Sequence, residues 1–229
     1  MASRDRYLQV ARLHVRCLDR GFLATLGEGF LALMYESMDR ADGVTLITEE
    51  RDGTVVGFIT GGTGMGPIYK RMLRSPVRLG LALAPALVRP AKMRRIIEIL
   101  RYSGDADLPE GVPDAELLSL AVAPEARGSG VADTLYRKLV EDFEARGVNA
   151  FRIIVGDALA PAHRFYQRMG ATVAGEVQVH GGECSKVYVH RTPHRSRCHA
   201  RIDEVRNNPY DAATLSGGSP CLPFTKSPR

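Results

Sequence analysis

The chain has 229 residues, of which 45% are hydrophobic and 25% charged, and its formal net charge is +5. This length and composition are enough for one sizeable core, or for one domain with a tail. Charged side chains at Arg4, Asp5, Arg6, Arg12 and Arg16 interrupt any apolar run near the N-terminus. We therefore expect no signal peptide and a cytoplasmic protein.

The first hundred residues predict helices followed by a hairpin. Apolar spacing indicates two helices and then two strands, at 5–20, 28–39, Val44 to Thr48 and Val55 to Thr60. The Asp-Gly pair between the strands is typical of a hairpin turn, so we expect antiparallel pairing. The glycine-rich segment 61–66 is not a nucleotide loop, because Pro67 stands where the third glycine is required. We interpret it as a flexible exit from the second strand.

The segment 68–102 carries nine basic side chains and one acid, a local charge of +8. Its apolar positions at helical spacing are Met93, Ile96, Ile97 and Leu100. Three interpretations stay open: a helical pair with solvated arginines, a lid whose charge attracts an anionic substrate, and a surface for an anionic membrane or nucleic acid. Val77 to Val88 is too short to span a bilayer, and aromatic residues are sparse. We expect no transmembrane segment and no specific nucleic acid partner.

Residues 116–132 combine an apolar strand with a glycine-rich turn that opens a helix. Pro124 ends the strand, and apolar positions from Gly130 onward fall at helical spacing. Free N–H groups at a helix N-terminus favour a bound anion, and glycines at 128 and 130 let the backbone approach it closely. The turn matches neither a Walker A loop nor the dinucleotide-binding glycine pattern.

The turn instead resembles the Arg/Gln-x-x-Gly-x-Gly/Ala signature of the GCN5-related N-acetyltransferases (GNAT), through Arg127, Gly130 and Ala132. Downstream, Ala162-His-Arg-Phe-Tyr-Gln-Arg-Met-Gly170 resembles the family's Ala-x-x-Phe/Leu-Tyr-x-x-x-Gly-Phe segment, at a fitting distance. The resemblance implies an α/β fold, in which helices flank both faces of a mixed, twisted sheet and 68–102 is a helical insert. It implies one acetyltransferase domain over 1–190, followed by a tail.

The resemblance also assigns an acetyl-CoA site. Its pyrophosphate would be held by the amides of Arg127, Gly128, Ser129, Gly130, Val131 and Ala132. Main-chain groups of Leu120 and Val122 would face the pantetheine arm. The sequence departs from the family pattern at Leu159, where asparagine is common, and at Ala171, where phenylalanine is common. The first departure affects one contact to the pantetheine arm, for which Asp157 and His163 are candidate substitutes.

Acetyl transfer to an amine needs a neutral amine, yet an amine with a pKa of ~10 is only about 0.1% neutral at pH 7. Glu116 is the candidate base, as the only acidic side chain on the strand before the loop; alternatively it is a solvated residue at the strand start. Tyr166 is the candidate proton donor to the departing thiolate, and its alternative role is a core aromatic. Both assignments rest on the resemblance to the family.

The sequence thus predicts an acetyl-CoA-dependent N-acetyltransferase that acts directly on a small-molecule amine, such as an anionic amino sugar or an amino-acid-like amine. The alternative is a non-catalytic acyl-CoA-binding or regulatory module. The oligomeric state stays open, a homodimer included.

The last residues, 191–229, are rich in Pro, Ser, Arg and Asn and predict a disordered basic tail. The four cysteines are scattered, without metal-ligand spacing, at Cys17, Cys184, Cys198 and Cys221. His194, Cys198 and His199 are of metal-ligating type, but few apolar residues surround them. We expect no metal.

Overall fold

A six-stranded mixed sheet with helices on both faces forms the protein in a computed structural model, which describes residues 2–18, 22–87, 108–179 and 183–193. All of them lie in the unit Met1–Pro193. The helices are α1 (Ala2–Cys17), α2 (Glu28–Asp39), α3 (Gly66–Leu73), α4 (Pro76–Leu87), α5 (Val131–Ala145) and α6 (Ala160–Arg168). The strands are β1 (Val44–Arg51), β2 (Thr54–Gly62), β3 (Glu116–Val122), β4 (Ala150–Gly156), β5 (Thr172–Val179) and β6 (Glu183–Arg191).

The strand order is β1-β2-β3-β4-β6-β5, and β3–β4 is the parallel pair among antiparallel neighbours. The predicted hairpin is confirmed: Arg51 pairs with Thr54 across a two-residue turn. Asp52 and Gly53 both have positive φ, 51° and 73°, the backbone that such a turn requires and that Asp-Gly adopts readily.

The parallel pair is incomplete. Residues of β3 and β4 are in register only at Glu116 opposite Arg152 and Leu117 opposite Ile153. From residue 118 onward β3 continues to pair with β2, while no residue of β4 lies opposite it. The sheet therefore opens between β3 and β4 towards the carboxyl end of β3.

The two faces of the sheet carry different helices. On one face Phe58 of β2 contacts the rings of His14 from α1 and Tyr35 from α2, with centroids 6.5 and 5.1 Å away. On the other face α5 lies so close that a Cβ on Gly61 would stand 2.7 Å from Phe143. A Cβ on Gly57 would stand 2.8 Å from Val131. Both glycines are required where they are because α5 packs directly against the strand backbone.

The predicted fold class is confirmed, with two local corrections. Gly61 and Gly62 belong to β2, so they are not a flexible exit from the strand. Helix α1 ends at Cys17, short of the predicted residue 20. The described part of the helical insert is α3 and α4. The apolar stripe at 93–100, the tail from 194 onward and the His194 to His199 cluster lie outside the described residues.

Candidate active site

The turn between β3 and α5 has the backbone of an anion cradle. Gly128 and Gly130 have φ of 75° and 81°, and a Cβ added to either would meet no atom within 4 Å. The left-handed backbone, rather than crowding, is therefore what favours glycine at both positions. The first hydrogen bond of α5 runs from the Thr134 N–H to the Gly130 carbonyl oxygen. Within the described part of the chain, the N–H groups of residues 128–133 have no acceptor.

Two arginines add positive charge beside this turn. The Arg127 Nε donates to the Val122 carbonyl oxygen at 3.3 Å, which folds the side chain back over the end of β3. Arg51, at the end of β1, donates to the Ser129 Oγ at 2.9 Å. Ser129 in turn donates to the Ala126 carbonyl oxygen at 2.7 Å. Sequence reasoning missed Arg51, because antiparallel pairing of β1, β2 and β3 is what brings it to the loop.

Where the sheet opens, the edge of β3 carries main-chain groups that are not paired with β4. The Ala123 N–H donates to the Val56 carbonyl oxygen of β2 at 2.8 Å. Main-chain groups alternate along a strand, so those of Leu120 and Val122 point away from β2, towards the opening beside β4. The structure thus places the predicted residues 120 and 122 next to the predicted loop residues 127–132.

Tyr166 lies on α6 within an aromatic cluster. Its ring centroid is 6.1 Å from that of Tyr136 and 6.5 Å from that of Tyr188, and its residue exposure is 7%. Burial raises the pKa of Tyr166 above its ordinary value, so the hydroxyl keeps its proton at neutral pH. Among the described residues this hydroxyl has no hydrogen-bond partner. The neighbouring Tyr136 hydroxyl is fully buried and has no hydrogen-bond partner among the described residues.

Glu116 is held by an ion pair at the start of β3. The Nε and Nη2 of Arg152 lie 3.0 and 2.9 Å from the Glu116 Oε2, and the Arg152 Nη1 donates to the Pro113 carbonyl oxygen at 3.0 Å. The side-chain exposures of the arginine and the glutamate are 16% and 19%. Within the described residues the second carboxylate oxygen, Oε1, accepts no bond, so it is available to another donor.

Leu159 occupies the position where the family commonly has asparagine, and Asp157 and His163 are the candidate substitutes. Leu159 precedes α6 and is 46% exposed. Both ring nitrogens of His163 are bonded: its Nε2 donates to the Gly156 carbonyl oxygen at 3.2 Å, and its Nδ1 is 2.8 Å from the Tyr188 hydroxyl, from which it accepts when the ring is neutral. His163 thus has no ring nitrogen left for a ligand, whereas Asp157 is exposed.

A buried polar chain that sequence reasoning missed connects α1 and α2 to β3. The Tyr35 hydroxyl is 2.6 Å from the His14 Nδ1 and also bonds to Ser119 of β3. The Ser119 Oγ is 2.6 Å from the Thr60 Oγ1. Burial lowers the pKa of His14 to about 4, so its ring is neutral at pH 7 and accepts from Tyr35. The chain fixes both helices on the strand that carries the free edge.

The family model of the GNAT acetyltransferases matches residues 11–171, a span that contains the loop, the open strand edge and Tyr166. The chain belongs to the GNAT acetyltransferase family. Membership makes it an acyltransferase of a family that uses acetyl-CoA, as the sequence predicted. No curated protein sequence matches the chain.

The chain is similar to several solved acetyltransferases at low sequence identity. A crystallised acetyltransferase has 16% identity and a TM-score of 0.53, with 82% of this chain and 96% of that chain covered. A GNAT-family acetyltransferase from Desulfovibrio desulfuricans has 17% identity and a TM-score of 0.49, covering 80% and 93%. PaiA N-acetyltransferase from Thermoplasma acidophilum, solved with coenzyme A, has 11% identity and a TM-score of 0.48, covering 82% and 94%. At 16% identity the likeness to the first of these, with its TM-score of 0.53, is one of fold.

Metal-ligating clusters and membrane-spanning helices can be assessed in the described parts of this GNAT chain. There, no group of three or more His, Cys, Asp and Glu side chains is placed to hold a metal ion. No helix in those ranges has both the length and the apolar content to cross a bilayer.

Proposed function

We propose that the protein transfers an acetyl group from acetyl-CoA directly to the amine of a small molecule of the amino-sugar or amino-acid type. The observation that carries the proposal is the row of unbonded N–H groups at residues 128–133, beside the open edge of β3. A row of this kind, at the positive end of a fifteen-residue helix, suits a pyrophosphate.

In this proposal the donor lies along β3. The amides of residues 128–132 hold the pyrophosphate, with the Arg51 and Arg127 side chains contributing charge. The predicted Arg127 amide is not among these donors, because its N–H donates to the Pro124 carbonyl oxygen at 3.3 Å. The pantetheine arm lies in the opening, where the main-chain groups of Leu120 and the Val122 N–H face it, while the Val122 carbonyl oxygen already accepts from Arg127. Acetyl-CoA supplies an activated acetyl thioester, so the protein needs no covalent intermediate of its own.

The reaction then needs two proton movements. The protonated amine first loses one proton to become neutral. As its nitrogen then forms a bond to the acetyl carbonyl carbon and the carbon–sulfur bond breaks, the nitrogen loses a second proton, for a net transfer of one proton to the sulfur and one to solvent. The Glu116 Oε1 is our candidate to take the first proton, directly or through water, because Arg152 occupies only the other oxygen. The Tyr166 hydroxyl is our candidate to protonate the sulfur. The side chain is protonated at neutral pH, so it has a proton to give, although burial raises its pKa and makes it a weaker acid than an exposed tyrosine.

An assay of free thiol release from acetyl-CoA tests the proposal. Amino sugars, amino acids, polyamines and peptide N-termini serve as acceptors for the wild type, Tyr166→Phe and Glu116→Gln. We expect each variant to lose a factor of about 10²–10⁴ in kcat with at least one acceptor, the usual contribution of a general acid or base. Tyr136→Phe is the matched control, since it removes a hydroxyl of the same cluster that has no partner.

The outcomes are distinct. Tight CoA binding without amine-dependent thiol release would contradict catalysis and favour a binding or regulatory module. An unchanged kcat in Tyr166→Phe would remove that residue from the mechanism, and an unchanged pH profile in Glu116→Gln would remove the base.

A further inference from the structure

A second basic site lies in an open cleft of about 220 Å³ between α2 and the helices α3 and α4. Four arginines line it: Arg40, Arg71, Arg74 and Arg78. We call it the arginine cleft. One acid, Glu36, also lines it, so the net formal charge of the lining is +3. A cleft of this volume has room for a small polyatomic anion and part of the molecule carrying it.

Two of the four arginines, Arg40 and Arg78, form ion pairs with Glu36. Its carboxylate is bonded by the Arg78 Nη1 at 3.2 Å and Nη2 at 2.5 Å, and by the Arg40 Nη1 at 2.7 Å. The Arg78 guanidinium lowers the pKa of Glu36 below its ordinary value, so the acid is ionised and already neutralised at pH 7. Glu36 therefore does not repel a further anion strongly.

The other two arginines, Arg71 and Arg74, form no ion pair with any described residue. Arg71 and Arg74 are three residues apart at the end of α3, and they have no acidic or other side-chain partner among the described residues. Two unpaired cations facing one cleft repel each other, and an anion between them relieves that repulsion. Arginine donates through a planar fork that matches carboxylate and phosphate oxygens.

The backbone at the cleft adds donors. The first hydrogen bond of α4 runs from the Leu79 N–H to the carbonyl oxygen of Ser75, a residue that lines the cleft. Pro76 has no N–H, and the N–H groups of Val77 and Arg78 have no acceptor in the ranges the structure describes. The positive end of a twelve-residue helix thus lies at the same cleft as the unpaired arginines.

We propose that the arginine cleft binds an oxyanion, a phosphate, sulfate or carboxylate group, with Arg71, Arg74 and the N-terminus of α4 as its donors. The site is separate from the phosphate-binding turn at α5, and the proposal does not depend on acetyl transfer. The anion is either part of the acceptor or a separate small molecule.

Inorganic phosphate is the probe, titrated calorimetrically at low ionic strength into protein saturated with CoA, so that the α5 turn is already filled. The test variant is Arg71→Gln/Arg74→Gln, which leaves the Arg78–Glu36 pair intact. The matched control is Arg137→Gln/Arg191→Gln, which removes the same charge from exposed arginines elsewhere. Circular dichroism and CoA affinity verify that both variants are folded.

We expect phosphate to bind the wild type and the control alike, and the test variant roughly tenfold or more weakly, because charge-assisted hydrogen bonds are lost. Equal phosphate affinity in all three proteins, or no binding to the wild type, would overturn the proposal. Retained CoA affinity with lost phosphate binding locates the loss in the arginine cleft. If the wild type does not bind CoA at all, that result would instead count against the proposed function.

A kinetic arm identifies the source of the anion, with acceptor amines in matched pairs that differ by one phosphate or carboxylate. If the acceptor carries the anion, the test variant raises KM for the charged member at least tenfold and leaves KM for the neutral member unchanged. If the anion is separate, both KM values stay the same while phosphate binding is lost. Both results support the site.

Discussion

Buried His14 should make the free energy of unfolding depend on pH. Its residue exposure is 5%, and burial lowers its pKa to about 4 from an ordinary value of 6.5. Between these two values the unfolded chain binds a proton at this residue and the folded protein does not. The free energy of unfolding therefore rises with pH across this window. The stability that His14 contributes through this effect is complete above about pH 6.5 and is lost as the pH falls towards 4.

The magnitude follows from the interval between the two pKa values, about 2.5 pH units, which corresponds to about 3 kcal/mol at full effect. That is a large share of the 5–15 kcal/mol typical of a domain of this kind. Glu36 and His190, whose pKa values are both lowered, contribute in the same direction. A comparison of variants is therefore needed to isolate His14.

His14→Asn is the suitable change, because its amide oxygen can still accept from the Tyr35 hydroxyl although the ring contact with Phe58 is lost. We expect the variant to be less stable than the wild type above pH 6.5, and its free energy of unfolding to rise by about 3 kcal/mol less than that of the wild type between pH 4 and 6.5. Urea unfolding followed by circular dichroism at several pH values measures this. The same pH dependence in both proteins would refute the reasoning.

Two substitutions of glycine test the packing and the loop. Gly61→Ala should cost about 1–3 kcal/mol in urea unfolding, because its Cβ would stand 2.7 Å from Phe143 and 2.8 Å from Leu139. Gly29→Ala, in a helix with open space around it, should instead add about 0.5–1 kcal/mol, and equal effects of the two changes would contradict the packing described for α5. Gly130→Glu should abolish CoA binding in a folded protein, since φ is 81° there and the added carboxylate would repel a pyrophosphate; retained affinity would move the pyrophosphate elsewhere.

The features that the sequence could predict are those set by the backbone preferences of single residues. Asp52-Gly53 gives a hairpin, and Gly128 and Gly130 supply the positive φ of the turn, because these preferences reside in single residues. The loop and the edge of β3 could be predicted for the same reason: a strand, a turn and a helix follow one another within seventeen residues, 116–132.

Features that depend on distant pairing could not be predicted. Arg51 reaches Ser129 across 78 positions of sequence, and Arg152 reaches Glu116 across 36. Glycine at 61 favours a loop when its neighbours in sequence are considered, and only the packing of Phe143 makes it a strand residue. The arginine cleft is hidden in the same way, since the sequence shows an excess of charge but not which arginines find acidic partners.

The short register between β3 and β4 divides the sheet into two three-stranded halves, β1–β3 and β4–β6, joined edge to edge by two residue pairs. A molecule lying in the opening with its own amide groups would supply the missing rungs of the ladder. In the proposed complex the co-substrate would then bond to the sheet between its two halves as well as supply the acetyl group. Release of the product would remove those rungs, and Phe143 of α5, which contacts β2 and β4, would still hold the two halves together.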